Sequence, residues 1–328
     1  MPSRSWSQKL LAVGTSAATA LTVLLTGGTA RAATLTQVTS FGSNPGNLLM
    51  YKYVPDGLPA GRPLVVVLHG CSQTASSVDN ETGWTQWADQ YQFALVLPQQ
   101  QNKNNAGKCF NWFLPGDQTR GNGEALSVKQ MTDWMVANQG SDATRIFVTG
   151  LSAGAAMTSV MLATYPDVFK GGAIVAGVPY LCATAAGAQT TACNNGTNVE
   201  TPQQWGDKVR SAYPSWTGPW PKVSIWHGTA DATVNYQNLT EIMKQWTNVQ
   251  GIDQTADTND TVAGYPHAVY RDAGGNALVE TYSITGMGHG YPIDPGTGPT
   301  QCGVAAPYIL DVNICASYYI AQWFGITT

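Results

Sequence analysis

Residues Gly150-Leu151-Ser152-Ala153-Gly154 constrain this chain more than any other stretch. They follow a β-branched and aromatic run, Arg145-Ile146-Phe147-Val148-Thr149, and precede Ala155 to Thr164, which reads as a helix. Strand, G-x-S-x-G, helix is the context that a nucleophile elbow requires. In so tight a turn, side chains at the flanking positions would collide with neighbouring backbone, so glycine fills both. The serine is pushed out at the carboxyl edge of a sheet with a helix N-terminus just behind it. The pentapeptide by itself also fits a glycine-rich turn, and it is the flanking strand and helix that favour a nucleophile.

The rest of the chain supplies a sheet for that elbow. Leu64-Val65-Val66-Val67-Leu68-His69 is a continuous apolar run, as in a strand buried on both faces of a parallel sheet. Trp84, Trp87, Ala88 and Tyr91 fall at i, i+3, i+4 and i+7, which predicts a helix. Further strands are predicted at Phe93-Ala94-Leu95-Val96-Leu97, stopped by Pro98, at Ala173-Ile174-Val175-Ala176 and at Val223-Ser224-Ile225-Trp226. Helices are predicted from Glu124 to Gln139, from Leu239 to Val249 and from Ser317 to Phe324. Val269-Tyr270 and Val279 to Ile284 flank Gly274-Gly275, a hairpin turn. Buried strands alternating with helices specify an α/β fold with a mostly parallel, doubly wound sheet. No repeat or linker divides the chain, so a single domain is expected. Its longest excursion, 177–222, holds Trp205, Trp216 and Trp220 and is a candidate lid or insertion, with the tryptophans either packing it down or forming a binding platform.

Residues 1–32 have the make-up of a secretory leader. Arg4 and Lys9 are basic, Leu10 to Leu25 is apolar with interruptions at Gly14, Thr15, Ser16 and Thr19, and Ala30-Arg31-Ala32 is a cleavage signal. Cleavage after Ala32 removes three basic residues and takes the formal net charge from −4 to −7. The mature chain, residues 33–328, is expected to be secreted, with no membrane partner and, lacking any basic cluster, no nucleic-acid partner. Six cysteines remain: Cys71, Cys109, Cys182, Cys193, Cys302 and Cys315. An even number in an exported chain implies disulfides, and of the 15 pairings open to six cysteines the expected one joins sequence neighbours. No C-x-x-C or H-x-x-x-H spacing is present, so no metal and no cofactor is expected.

A serine hydroxyl needs a base to take its proton and a carboxylate to hold that base. His289, in Gly286-Met287-Gly288-His289-Gly290 after the last long predicted strand, is the expected base. The phrase His227-Gly228 through Asp231 to Val234, H-G-x-x-D-x-x-V, puts Asp231 in the loop after a strand, where a triad acid belongs. Asp207, Asp253, Asp257, Asp260 and Asp272 compete, but none follows a buried strand in this way. His227 is expected to hydrogen-bond within its turn and His267 to lie on a strand. The oxyanion needs two N–H donors. Ala153, directly after the serine, is one, and Cys71, in the turn after an early strand, is the other.

His69-Gly70-Cys71-Ser72-Gln73, Cys109-Phe110-Asn111-Trp112, the elbow, the H-G-x-x-D phrase and the G-x-G-H loop occur in one order. Together they resemble the esterase family of extracellular polyhydroxybutyrate depolymerases, itself similar to feruloyl and acetylxylan esterases. The likeness runs from about Leu48 to the C-terminus. It implies an α/β-hydrolase fold and a secreted serine ester hydrolase with Ser152, Asp231 and His289 as triad, and it places Trp112 near the acyl pocket. The substrate expected is a polymeric or oligomeric ester, a polyhydroxybutyrate-type polyester first and acylated xylan second, cleaved by a monomer. Thirty-nine residues follow His289, so adsorption to a solid polymer would fall to the catalytic domain itself. A serine acyltransferase would use the same residues. A peptidase or a non-catalytic binding protein fits less well, because every catalytic element is present.

Overall fold

Along Leu64–Leu68 successive side chains point to opposite faces of a sheet, and all five are buried. Leu64, Val66 and Leu68 join one apolar layer, while Val65 and Val67 join another. The fold is built on that division. A computed structural model describes residues 1–3 and 33–328, so the leader expected at 1–32 lies almost wholly outside the described residues.

In chain order the elements are β1 (Thr36–Val38), β2 (Leu49–Tyr53), β3 (Leu64–Leu68), α1 (Ala75–Val78), α2 (Trp84–Tyr91), β4 (Ala94–Gln99), α3 (Gly123–Gln139), β5 (Ile146–Leu151), α4 (Ala153–Thr164) and β6 (Phe169–Val175). A π-helical turn, Gln189–Asn194, follows. The remainder comprises α5 (Pro202–Ala212), β7 (Lys222–Gly228), α6 (Gln237–Gln250), β8 (Thr258–Val262), β9 (Tyr265–Arg271), β10 (Ala277–Ile284), β11 (Tyr291–Ile293), β12 (Ile309–Asp311) and α7 (Ala316–Phe324).

One ten-stranded sheet has the order β1-β2-β4-β3-β5-β6-β7-β10-β9-β8. Its six central strands, β4 to β10 in that order, run parallel, and the two strands at either edge are antiparallel. Helices α3, α4, α5 and α6 cover one face through residues such as Met131, Met157, Trp205 and Trp246. Helices α1, α2 and α7 cover the other through Val78, Trp84, Trp87 and Phe324. A small parallel pair, β11 and β12, stands apart from the main sheet.

The strand expected to stop at Pro98 runs on to Gln99. Proline is tolerated because β3 pairs with β4 only as far as Val96, after which β2 is the sole partner and no ladder N–H is needed on the other side. The excursion at 177–222 contains no strand but does contain α5. That helix was legible: Thr201 accepts from the Gln204 N–H, the Gln204 side chain returns to the Thr201 N–H, and Pro202 occupies the first turn. Trp205 is buried with its indole N–H donating to Glu241 Oε2 on α6 at 2.8 Å, so it packs the excursion down, while Trp216 stacks on Tyr213 within the excursion. The disulfides join sequence neighbours, Cys71–Cys109, Cys182–Cys193 and Cys302–Cys315.

At the antiparallel edge His267 bridges Asp260 Oδ1 at 2.7 Å and Glu280 Oε2 at 3.2 Å. Burial opposes its protonation, but the hydrogen bonds to the two carboxylates outweigh this and raise its pKa above the ordinary 6.5. The folded state therefore holds a proton that the unfolded chain releases earlier, and its stabilising effect is complete below pH 6.5 and lost as pH rises through the raised value. The unfolding midpoint is expected to fall as pH is raised from 6.5, and to fall less in Asp260→Asn, which strips one partner from the ring. Thermal melts of the two proteins across that range check this, and parallel curves would refute it.

Candidate active site

Strand β5 delivers Ser152 into a backbone conformation that side chains seldom adopt, φ 56° and ψ −118°. Two hydrogen bonds fix it there, Ser152 N–H to Val175 O at 3.0 Å and Ala156 N–H to Ser152 O at 2.9 Å. The flanking glycines are required by contact. A Cβ on Gly150 would stand 2.5 Å from Gly154 C, and one on Gly154 would overlap Leu68 O and stand 2.5 Å from His69 O. The elbow thus lies directly against the end of β3.

Strands β7 and β10 deliver the other two groups. His289 Nε2 is 2.9 Å from Ser152 Oγ and its Nδ1 is 2.7 Å from Asp231 Oδ2. The other carboxylate oxygen, Asp231 Oδ1, accepts from the N–H groups of Thr233 at 2.9 Å and Val234 at 2.8 Å. Burial alone would raise the Asp231 pKa, but the neighbouring His227 and His289 rings and the Val234 N–H outweigh it and hold the carboxyl well below the usual range. The acid and base loops touch backbone to backbone, since a Cβ on Gly228 would overlap Met287 O. Ala230 N–H donates to Met287 O at 3.0 Å and Gly286 N–H to Thr229 Oγ1 at 2.8 Å. The glycine of H-G-x-x-D is thereby explained.

His227 Nε2 lies 2.8 Å from Val234 O and 3.4 Å from Asp231 Oδ2, so it carries a proton and braces the acid turn, as expected. The rival aspartates are engaged elsewhere: Asp260 with His267, Asp207 with Arg210, and Asp253, Asp257 and Asp272 with nearby backbone N–H groups. His69 is fully buried, and burial drives its pKa down to about 4. Its Nε2 accepts from the Gln100 N–H at 3.0 Å, which leaves Nδ1–H to donate to Gly70 O at 2.6 Å.

These groups open on a cleft of about 360 Å³ at the carboxyl ends of the parallel strands. Ser152, His289, Cys71 and Ala153 all line it. Among the described residues neither the Cys71 nor the Ala153 N–H has a backbone partner. Trp112 is on its wall, edge-on to Phe113. That wall is anchored from behind by buried Glu124, which accepts from the Asn111 N–H at 2.8 Å and Asn111 Nδ2 at 2.9 Å. Burial, with Asp117 nearby, pushes the Glu124 pKa up to about 8. Sequence reasoning missed this anchor, and it missed Tyr308, a cleft residue that is 49% exposed. Only spatial neighbours reveal either. The excursion contributes Val178, Gln189, Thr190 and Asn194 to the cleft, but none of its three tryptophans.

Hydroxyl, imidazole and carboxylate in line, beside unpaired N–H groups, suit proton transfer and attack on a carbonyl. Fold and site together define an α/β-hydrolase. The solved acetyl xylan esterase from Aspergillus awamori superposes with a TM-score of 0.74 at 28% identity, covering 89% of this chain and 99% of that one. The family described as Esterase PHB depolymerase matches residues 48–264. Among curated proteins, Poly(3-hydroxyalkanoate) depolymerase C of Paucimonas lemoignei is 59% identical over 292 residues, 89% of this chain and 70% of the relative. An acetylxylan esterase of Coprinopsis cinerea is 41% identical over 79% of this chain and 69% of its own length. The chain belongs to the esterase PHB depolymerase family.

Gly154→Ala forces the elbow away from β3 and is expected to destabilise the fold by about 1–3 kcal/mol, the usual cost of overpacking. Urea denaturation measures this. A loss below about 0.5 kcal/mol would mean that the end of β3 yields freely, against the close approach described here.

Proposed function

We propose that this chain is a secreted, single-domain serine ester hydrolase that cleaves a polyhydroxyalkanoate-type polyester or its oligomers. The observation that carries the chemistry is the unbroken line Asp231–His289–Ser152 opening on the cleft. Ser152 Oγ attacks the ester carbonyl while His289 Nε2 takes its proton. Asp231 holds the ring with Nδ1–H toward itself and stabilises the imidazolium that forms. The N–H groups of Ala153 and Cys71 receive the oxyanion, and the Cys71–Cys109 bridge ties the turn that presents the second donor to the cleft wall. His289 then protonates the departing alkoxide, and water, deprotonated by the same ring, resolves the acyl-enzyme. The relative at 59% identity, a poly(3-hydroxyalkanoate) depolymerase by description, supports the polyester. Export is supported by three disulfides and the leader composition. One continuous sheet with both apolar layers shared along its length supports a single catalytic domain over 33–328.

Acylated xylan is the second reading, favoured by the acetylxylan esterase relative and by the solved neighbour that covers nearly all of its own chain. Incubation with amorphous polyhydroxybutyrate and, separately, with acetylated and feruloylated xylan decides between them, with released acids identified by mass spectrometry. Release of 3-hydroxybutyrate and its oligomers is expected, and release of acetate or ferulate alone would overturn the polyester reading. Ser152→Ala is expected to abolish release. Asp231→Asn, which presents an amide to His289 Nδ1, is expected to lower kcat by about 10⁴. Wild-type turnover in either variant would remove the triad assignment.

A further inference from the structure

Among the described residues six buried side-chain polar atoms have no hydrogen-bond partner: Thr149 Oγ1, Gln189 Oε1, Trp216 Nε1, His227 Nδ1, Trp246 Nε1 and Trp323 Nε1. Folded proteins leave few such atoms, and each calls for a reason. Of the six, only Gln189 belongs to a residue that lines the cleft. Two other cleft amides, Gln73 and Asn105, are committed to the fold. Gln73 Oε1 accepts from the Gly70 N–H at 2.8 Å, and Asn105 Oδ1 accepts from the Gly107 N–H at 3.0 Å while its Nδ2 donates to Asn111.

The backbone that carries Gln189 is also unusual. It opens the π-helical turn Gln189–Asn194, a form that recurs at functional sites. The turn lies in the loop closed by Cys182–Cys193, and Asn194 O at its far end accepts from the Asn235 N–H at 2.7 Å, just beyond the acid loop. A polar amide on the wall of the same cleft, without a partner in the fold, suits a polar group that arrives with the substrate.

We propose that Gln189 is a specificity-determining residue whose side-chain amide hydrogen-bonds a substrate oxygen other than the reacting ester carbonyl. This rests on the polyester reading and names how the cleft recognises it. Every internal repeat of a polyhydroxyalkanoate carries further ester oxygens on either side of the bond being cut, and all of them are acceptors. Of the two amide atoms Oε1 is the buried one, while Nε2 has no partner in the fold and is the edge left to donate. A simple alkyl butyrate has no oxygen beyond those of its own reacting ester.

The test compares kcat/KM for a 3-hydroxybutyrate trimer with that for ethyl butyrate, in the wild type, Gln189→Leu and Gln189→Glu. Leucine removes the donor at similar size, and glutamate replaces it with an acceptor. The ratio of trimer to butyrate is expected to fall about tenfold or more in both variants, because a site built to pair a polar group discriminates by that group. Each protein's own butyrate activity serves as the denominator, so a general loss of folding cancels. A ratio within twofold of wild type in either variant overturns the assignment. Polyester cleavage that persists with an unchanged ratio would overturn Gln189 alone, whereas absence of 3-hydroxybutyrate release by the wild type would overturn the polyester reading beneath it.

Discussion

Gly154 sits where any side chain would strike the last carbonyls of β3, Leu68 O and His69 O. The rest of the site depends on this closeness. Strand pairing brings Leu68 opposite Gly150, so the turn after β3 and the turn after β5 leave the sheet side by side. One carries the Cys71 N–H and the other carries Ser152 and the Ala153 N–H. Two unpaired N–H groups and the Ser152 hydroxyl converge because two parallel strands end in register with no side chain between them. The same device recurs at β7 and β10, where Gly228 lets the acid loop lie on Met287 O. Two backbone-to-backbone contacts therefore set the Ser152, His289 and Asp231 geometry, with the strained conformation of Ser152 held by the surrounding sheet and helix.

Burial does different things to the charged groups around that geometry. Asp231 is stripped of water yet stays ionised, because N–H groups and two rings replace the lost solvent. His69 is stripped of water and stays neutral, with one nitrogen accepting and the other donating, so the peptide it holds is the one whose far end is the Cys71 N–H. Because a peptide unit is planar and trans, fixing Gly70 O fixes the direction of that N–H. Glu124 is buried among donors and anchors the wall that carries Trp112.

Much of this was written in local sequence. The elbow, the buried run at Leu64–Leu68, the H-G-x-x-D phrase and the G-x-G-H loop each carry their geometry in adjacent residues, and from them Ser152, Asp231, His289, Cys71 and Ala153 could be picked out as residues that the structure brings together. Elements whose residues carry no apolar period were harder. Strand β8, Thr258–Val262, has three exposed positions out of five and is a strand only because β9 pairs with it. Strands β1, β11 and β12 have three residues each, too few to show alternation. Pro98 was misleading because its tolerance depends on β3 having already left the ladder, a fact of pairing and not of composition. Glu124 and Tyr308 escaped for the same reason, since what they do depends on what stands opposite them.

The three disulfides share a property that their sequence spacing conceals. Cys71 lies on the turn after β3 that lines the cleft, the loop from Cys182 to Cys193 contains Gln189 and Thr190, and the loop from Cys302 to Cys315 contains Tyr308. None crosses from one helix-covered face of the sheet to the other; each braces a separate arc of the cleft mouth. The rim is thus a set of independently stapled segments on a frame that does not need them for its own pairing. A lineage carrying this frame can lengthen, shorten or recompose one segment while the others keep their shape, so that the range of esters admitted drifts without touching the machinery that cuts them.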